Sequence, residues 1–123
     1  MNIVLWIIQS ALAMAFLMAG AMKALASRDV LREKIGDWVD EFSSATLKTI
    51  GILELLGAFG LILPMVLDIY PVLTSFAAFG LSLSMVGAIL VHIKRKEHNK
   101  AIFNVILMVL GLSVALGRLM IQS

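Results

Sequence analysis

Residues 49–64 read TIGILELLGAFGLILP, a run in which one carboxylate, Glu54, stands among apolar and small side chains. Extended back to Thr46, the run is long enough to cross a membrane as a helix. At ~1.5 Å of rise per residue Glu54 then lies roughly 12 Å below the nearer surface of a hydrocarbon layer ~30 Å thick. An ionisable group at that depth costs at least ~2.5 kcal/mol unless it is paired. Such a group marks a site by default, and the question becomes which other residues reach the same depth.

Composition supports a membrane setting. The chain has 123 residues, is 61% hydrophobic and 15% charged, and has a mean hydropathy of +1.02. A soluble domain of this size is nearer half apolar and about a quarter charged. One domain suffices for the length. The absence of Cys excludes disulfides, thiol redox centres and thiolate metal sites, and His92 and His98 have no acidic partner at ligand spacing, so no metal is expected. Any redox chemistry therefore belongs to a bound cofactor or a partner. The net charge of +2 is small and locally placed, a topology signal and not a nucleic-acid surface.

Four apolar runs, about 3–25, 46–67, 72–93 and 101–121, are expected to span the membrane. The first is too long for a signal-peptide core and reads as a retained helix. Pro64 should bend or finish the second span, and the tight link Asp68, Ile69, Tyr70, Pro71 makes spans two and three an antiparallel hairpin. Lys23, Arg28, Arg32, Lys34, Lys48, Lys94, Arg95, Lys96 and Lys100 fall on one side of the membrane, and Arg118 alone on the other. That bias puts both basic loops in the cytoplasm and both termini outside, in a multi-pass protein of the cell membrane. Between spans one and two, residues 28–42 place Leu31, Ile35, Trp38 and Phe42 on one stripe, as in a short interfacial helix capped by Ser27 and weakened by Gly36. It is either a connector resting on lipid or a lid over a ligand entrance.

In lipid the informative residues are polar or small, because they face other helices. The first span aligns Gln9, Ala13, Phe16, Gly20 and Lys23; the second Leu47, Gly51, Glu54, Ala58 and Leu61; the third Met85, Ala88 and His92; the last Asn104, Met108, Gly111, Ala115, Arg118 and Gln122. Because the spans alternate in direction, Lys23, His92 and Asn104 come within roughly two turns of the cytoplasmic surface, near Glu54. Gln9 and Arg118 match near the outer surface. The expected ligand-binding residues are thus Glu54, Lys23, His92 and Asn104 in the cytoplasmic half, with Gln9 and Arg118 as a smaller outer pair.

The segments FLMAGAMKAL (16–25), IGILELLGAFGLILP (50–64) and LSMVGAILVHIKRKE (83–97) resemble the DoxX-like family of small four-helix membrane proteins. The resemblance implies an all-α, integral-membrane, antiparallel four-helix bundle. It also implies an association with quinone-linked redox metabolism and oxidative stress; namesake subunits look like parts of a thiosulfate:quinone oxidoreductase.

Three functions follow. The first is a quinone-binding or membrane-redox accessory component, a subunit of a quinone-linked oxidoreductase if it is part of an enzyme, partnered by a membrane redox enzyme or by further copies of itself. The second is a non-catalytic assembly or scaffold subunit. The third is a small proton-coupled exporter of lipophilic compounds, against which the strong charge bias and the position of Glu54 in the second span both count.

Overall fold

The computed structural model describes residues 2–120, and these are organised as α1 (Asn2–Leu25), α2 (Arg28–Ile35), a 3-10 segment (Asp37–Glu41), α3 (Ser44–Val66), α4 (Val72–Lys94) and α5 (His98–Met120). Helices α1, α3, α4 and α5 are long and apolar enough to cross a membrane. Their bounds agree with the expected spans to within three residues; the end of the last span at 121, and Gln122, lie outside the described residues. Helix α1 packs on α3, α3 on α4 and α4 on α5, and the thinner seam between α5 and α1 closes the ring. Each neighbour runs antiparallel to the last, as contacts such as Gln9 with Leu61, Gly57 with Leu81, Ser82 with Met108 and Leu5 with Gly117 require. The chain forms the all-α, antiparallel four-helix membrane bundle that its sequence implies.

The inward faces follow helical spacing. On α3 the buried residues are Leu47, Gly51, Glu54, Ala58 and Leu61, the stripe read from the sequence. On α5 the line shifts slightly, with Ala101, Gly111, Val114, Ala115 and Arg118 buried and Asn104 and Met108 half-buried. The apolar core, which includes Leu12, Phe16, Ala58, Leu61, Ala78, Leu81 and Val114, fills the middle of the bundle and extends toward the Asp68 turn. At that turn Asp68 and Tyr70 adopt φ of 52° and 46°, and Ile69 N–H returns to the Pro64 carbonyl at 2.9 Å, capping α3 two residues beyond Pro64. Proline therefore sits in the last turn, so the i→i−4 bond it removes, to the Gly60 carbonyl, falls at the end of the helix instead of breaking its interior.

The segment 28–42 differs from the single interfacial helix expected. Gly36 has φ of 112°, a conformation that favours glycine, and there the helix stops and restarts as the 3-10 segment. The break turns Val39 fully inward to join Leu31 and Leu47, with Ile35, Trp38 and Phe42 packed around them. Arg28 ties the two pieces together by donating to the carbonyls of Val39 and Phe42, both at 2.9 Å.

Two features of this packing are open to test. A Cβ on Gly51 would lie 2.6 Å from the Ala24 amide nitrogen and 2.7 Å from the Gly20 carbonyl, so backbone faces backbone there. Gly51→Val is expected to lower stability by roughly 1–3 kcal/mol, read as a drop in unfolding midpoint in mixed micelles. The hydroxyls of Thr74 and Ser75 are buried with no hydrogen-bond partner among the described residues. Thr74→Val and Ser75→Ala are each expected to raise stability by up to roughly 1 kcal/mol in the same assay.

Candidate functional site

The close approach of α1 and α3 sets Lys23 beside Gly51 and Glu54 beside Gly20, and across this contact Lys23 Nζ meets Glu54 Oε1 at 2.7 Å. Both side chains are largely buried, at 12% and 4% exposure. Two charges so placed lose hydration that their attraction only partly restores, but removing one partner strands the other at a cost of roughly 3–5 kcal/mol. The second oxygen of Glu54 has no hydrogen-bond partner among the described residues, and Glu54 lines a cavity between the helices.

That cavity, ≈640 Å³, lies in the half of the bundle nearer the 3-10 segment. Its walls are chiefly apolar, including Phe16, Ile50, Met85 and Leu107, and its polar groups are Lys23, Glu54, Ser84, His92 and Asn104. A volume of this size suits a small organic ligand. The Asn104 amide and His92 Nε2 have no hydrogen-bond partner among the described residues, whereas the Ser84 hydroxyl donates back to the Leu81 carbonyl. Four residues expected from depth alone, Lys23, Glu54, His92 and Asn104, are thus brought together on one cavity.

Gln9 and Arg118 are not part of it. They lie beyond the apolar core at the Asp68 end, where Arg118, 1% exposed, donates to Gln9 Oε1 and, at 2.6 Å, to Asn2 Oδ1. Gln9 in turn donates to the Leu61 carbonyl at 2.7 Å, and the Arg118 guanidinium lies 5.2 Å from the Trp6 ring. Their expected pairing in the outer half is present, and Leu12, Leu61 and Val114 lie between that pair and the cavity.

The roof of the cavity is the residue that sequence reasoning left out of the site. Trp38, on the 3-10 segment, stands 5.6 Å from Lys23 Nζ and edge-on to His92 and Phe42, at 5.5 and 6.0 Å between ring centroids. It lines the cavity with Phe42, so the apolar face of this segment turns onto the bundle as a cover. The signal was the stripe itself, which did not say which surface it would meet.

Glu97 was also missed. Lys96 turns the chain with φ of 60°, and Glu97 N–H returns to the His92 carbonyl at 2.7 Å, so the carboxylate folds back to His92 Nδ1 at 2.9 Å. Because α4 has already ended, helical spacing gives no hint of this pair. Arg95 binds Glu97 at 3.3 Å and reaches across to Asp37 at 2.7 Å and Glu41 at 3.4 Å, and Lys100 donates to the Ile35 carbonyl at 3.3 Å. These contacts latch the cover to the α4–α5 connection. The hydrogen bond with His92, helped by Lys100 and Arg95 and opposed by partial burial, holds the Glu97 carboxyl below its ordinary value of 4.5.

A membrane bundle with a roofed, largely apolar cavity and a buried ion pair in its wall defines the class. A family model described as the DoxX-like family matches residues 7–114, and the chain belongs to that family. No curated protein and no solved structure gives a significant match to it.

The latch carries a pH dependence of definite sign. A carboxylate depressed in the folded state contributes stability above its ordinary value and loses it as pH falls through the folded one. Acidification below about pH 4.5 is therefore expected to loosen the cover and shift Trp38 fluorescence, read in a Trp6→Phe background. Glu97→Gln is expected to remove that part of the acid response.

Proposed function

We propose that this protein binds the head of a quinone in the Trp38-roofed cavity and serves as an accessory component of membrane redox metabolism, working beside a membrane redox enzyme that supplies the electrons. In the same reading the two basic loops face the cytoplasm, so the cavity occupies the inner half of the membrane. The observation that carries the proposal is a ≈640 Å³ apolar cavity with Lys23, Glu54, His92 and Asn104 on its wall. Quinone carbonyls accept hydrogen bonds, and Lys23, His92 and Asn104 are donors of that kind. A quinone supplies two-electron, two-proton chemistry when bound. Glu54 and His92 are groups able to hold and pass protons at the carbonyl oxygens, and the apolar walls with the Trp38 roof exclude bulk water from them.

The test is quinone affinity in lipid nanodiscs. Glu54→Gln keeps the shape of the site but removes the charge that orients Lys23, and is expected to weaken binding roughly tenfold. Equal affinity in variant and wild type would remove Glu54 from the site. Mass spectrometry of the purified wild-type protein is expected to find a lipid-soluble quinone; stable protein that retains no small molecule, in complex with a larger redox enzyme, would favour the scaffold role.

A further inference from the structure

The two helix pairs, α1 with α3 and α4 with α5, touch across two seams, with close contacts in the middle and toward the Asp68 end. Across the α1/α5 seam these include Leu5 with Gly117 and Gln9 with Arg118; across the α3/α4 seam they include Gly57 with Leu81 and Gly60 with Ala77. Toward Trp38 the pairs part, which is why the cavity lies where it does. Its lining includes side chains that are largely exposed on the lipid-facing surface of the bundle, Met18 at 62% and Phe103 at 57%. Helical spacing puts Met18 on the side of α1 that also carries Ala15 and Ala19, facing α5, and Phe103 on the same side of α5 as Gly117, facing α1. Ala15 and Ala19 are themselves cavity-lining and small, so this seam is walled by two alanines, a flexible methionine and one ring.

We infer that the α1/α5 seam beside Met18, Ala19 and Phe103 is a lateral portal through which the tail of a lipid-soluble ligand leaves the cavity and enters the bilayer, while its head stays under Trp38. This inference rests on the proposed quinone reading and narrows it to quinones with long hydrocarbon tails. Space requires it, because ≈640 Å³ accommodates a head and the first part of a chain, and a polyprenyl tail must continue outside. Chemistry allows it, because the tail passes from apolar walls to lipid without crossing a polar surface. The roof above is closed by contrast, with Arg95 holding Asp37 and Trp38 packed over Lys23.

The experiment compares two probes of identical head, a tailless dimethoxy-methylbenzoquinone and the same head carrying a polyprenyl tail, for binding to protein in nanodiscs. Ala19→Trp and, at an exposed position, Met18→Trp narrow the α1/α5 seam. Gly87→Trp narrows the other seam, at a cavity-lining position where an added Cβ meets nothing within 4 Å. The portal requires both α1 variants to weaken the tailed probe roughly tenfold or more while the tailless probe keeps its affinity, which also shows the variants folded. Retention of both probes by both α1 variants, equal loss of both, or selective loss in Gly87→Trp would overturn the portal while leaving the quinone site standing. Failure of wild type to bind either probe would overturn both.

Discussion

The arrangement of this bundle depends on a backbone contact between α1 and α3. Gly20 and Gly51 bring the two helices so close that neither position has room for a Cβ, and this close approach sets the distance at which Lys23 and Glu54 meet. An ion pair with little access to water is tolerable only when both members are held in register, since a shift of an ångström or two would leave each charge without its counterpart in a medium that cannot solvate it. The glycines thus do for geometry what the pair does for charge. The same economy appears between α4 and α5, where Gly111 sits directly against Ser82 and the serine hydroxyl donates to the Ala78 carbonyl at 2.8 Å.

Two tight pairs joined by looser seams explain why the molecule is solid at one end and hollow at the other. Near the Asp68 turn, leucine, valine and alanine fill the space between the pairs; near the cover, the inward side chains are an ion pair, a histidine and an asparagine that do not pack into a dry core. Space is left beside them. The cover then closes the hollow end with an aromatic ring that touches both Lys23 and His92, so the two polar elements of the wall share one roof. The proposed ligand head would lie against that roof.

Much of this was legible in the sequence because a membrane simplifies the arithmetic. Span limits follow from apolar length, and a constant rise per residue puts Glu54, Lys23, His92 and Asn104 at comparable depth. The α3 face was read residue for residue, since Leu47, Gly51, Glu54, Ala58 and Leu61 recur at steps of three and four around the one carboxylate. What escaped lies where the helical period lapses. The inward turn of Val39 depends on the unusual backbone at Gly36, and the pairing of Glu97 with His92 depends on a chain reversal at Lys96; neither is encoded in a 3.6-residue stripe. The depth match of Gln9 with Arg118 was right, but depth alone does not reveal that an apolar layer separates them from the cavity.

The cover has a peculiarity in how it is secured. Besides the Arg95 latch, its principal donors are Arg28 at its own start and Lys100 beyond it, which grip main-chain carbonyls of Val39, Phe42 and Ile35, while Asp40 pairs with Arg32 in a solvent-facing contact of the kind that contributes little. A carbonyl is present whatever residue bears it. Mutational drift at outward positions of the cover other than Asp37 and Glu41 should therefore leave its seating intact, and the inherited constraint falls instead on Arg28, Lys100 and the glycine that lets the chain fold beneath them.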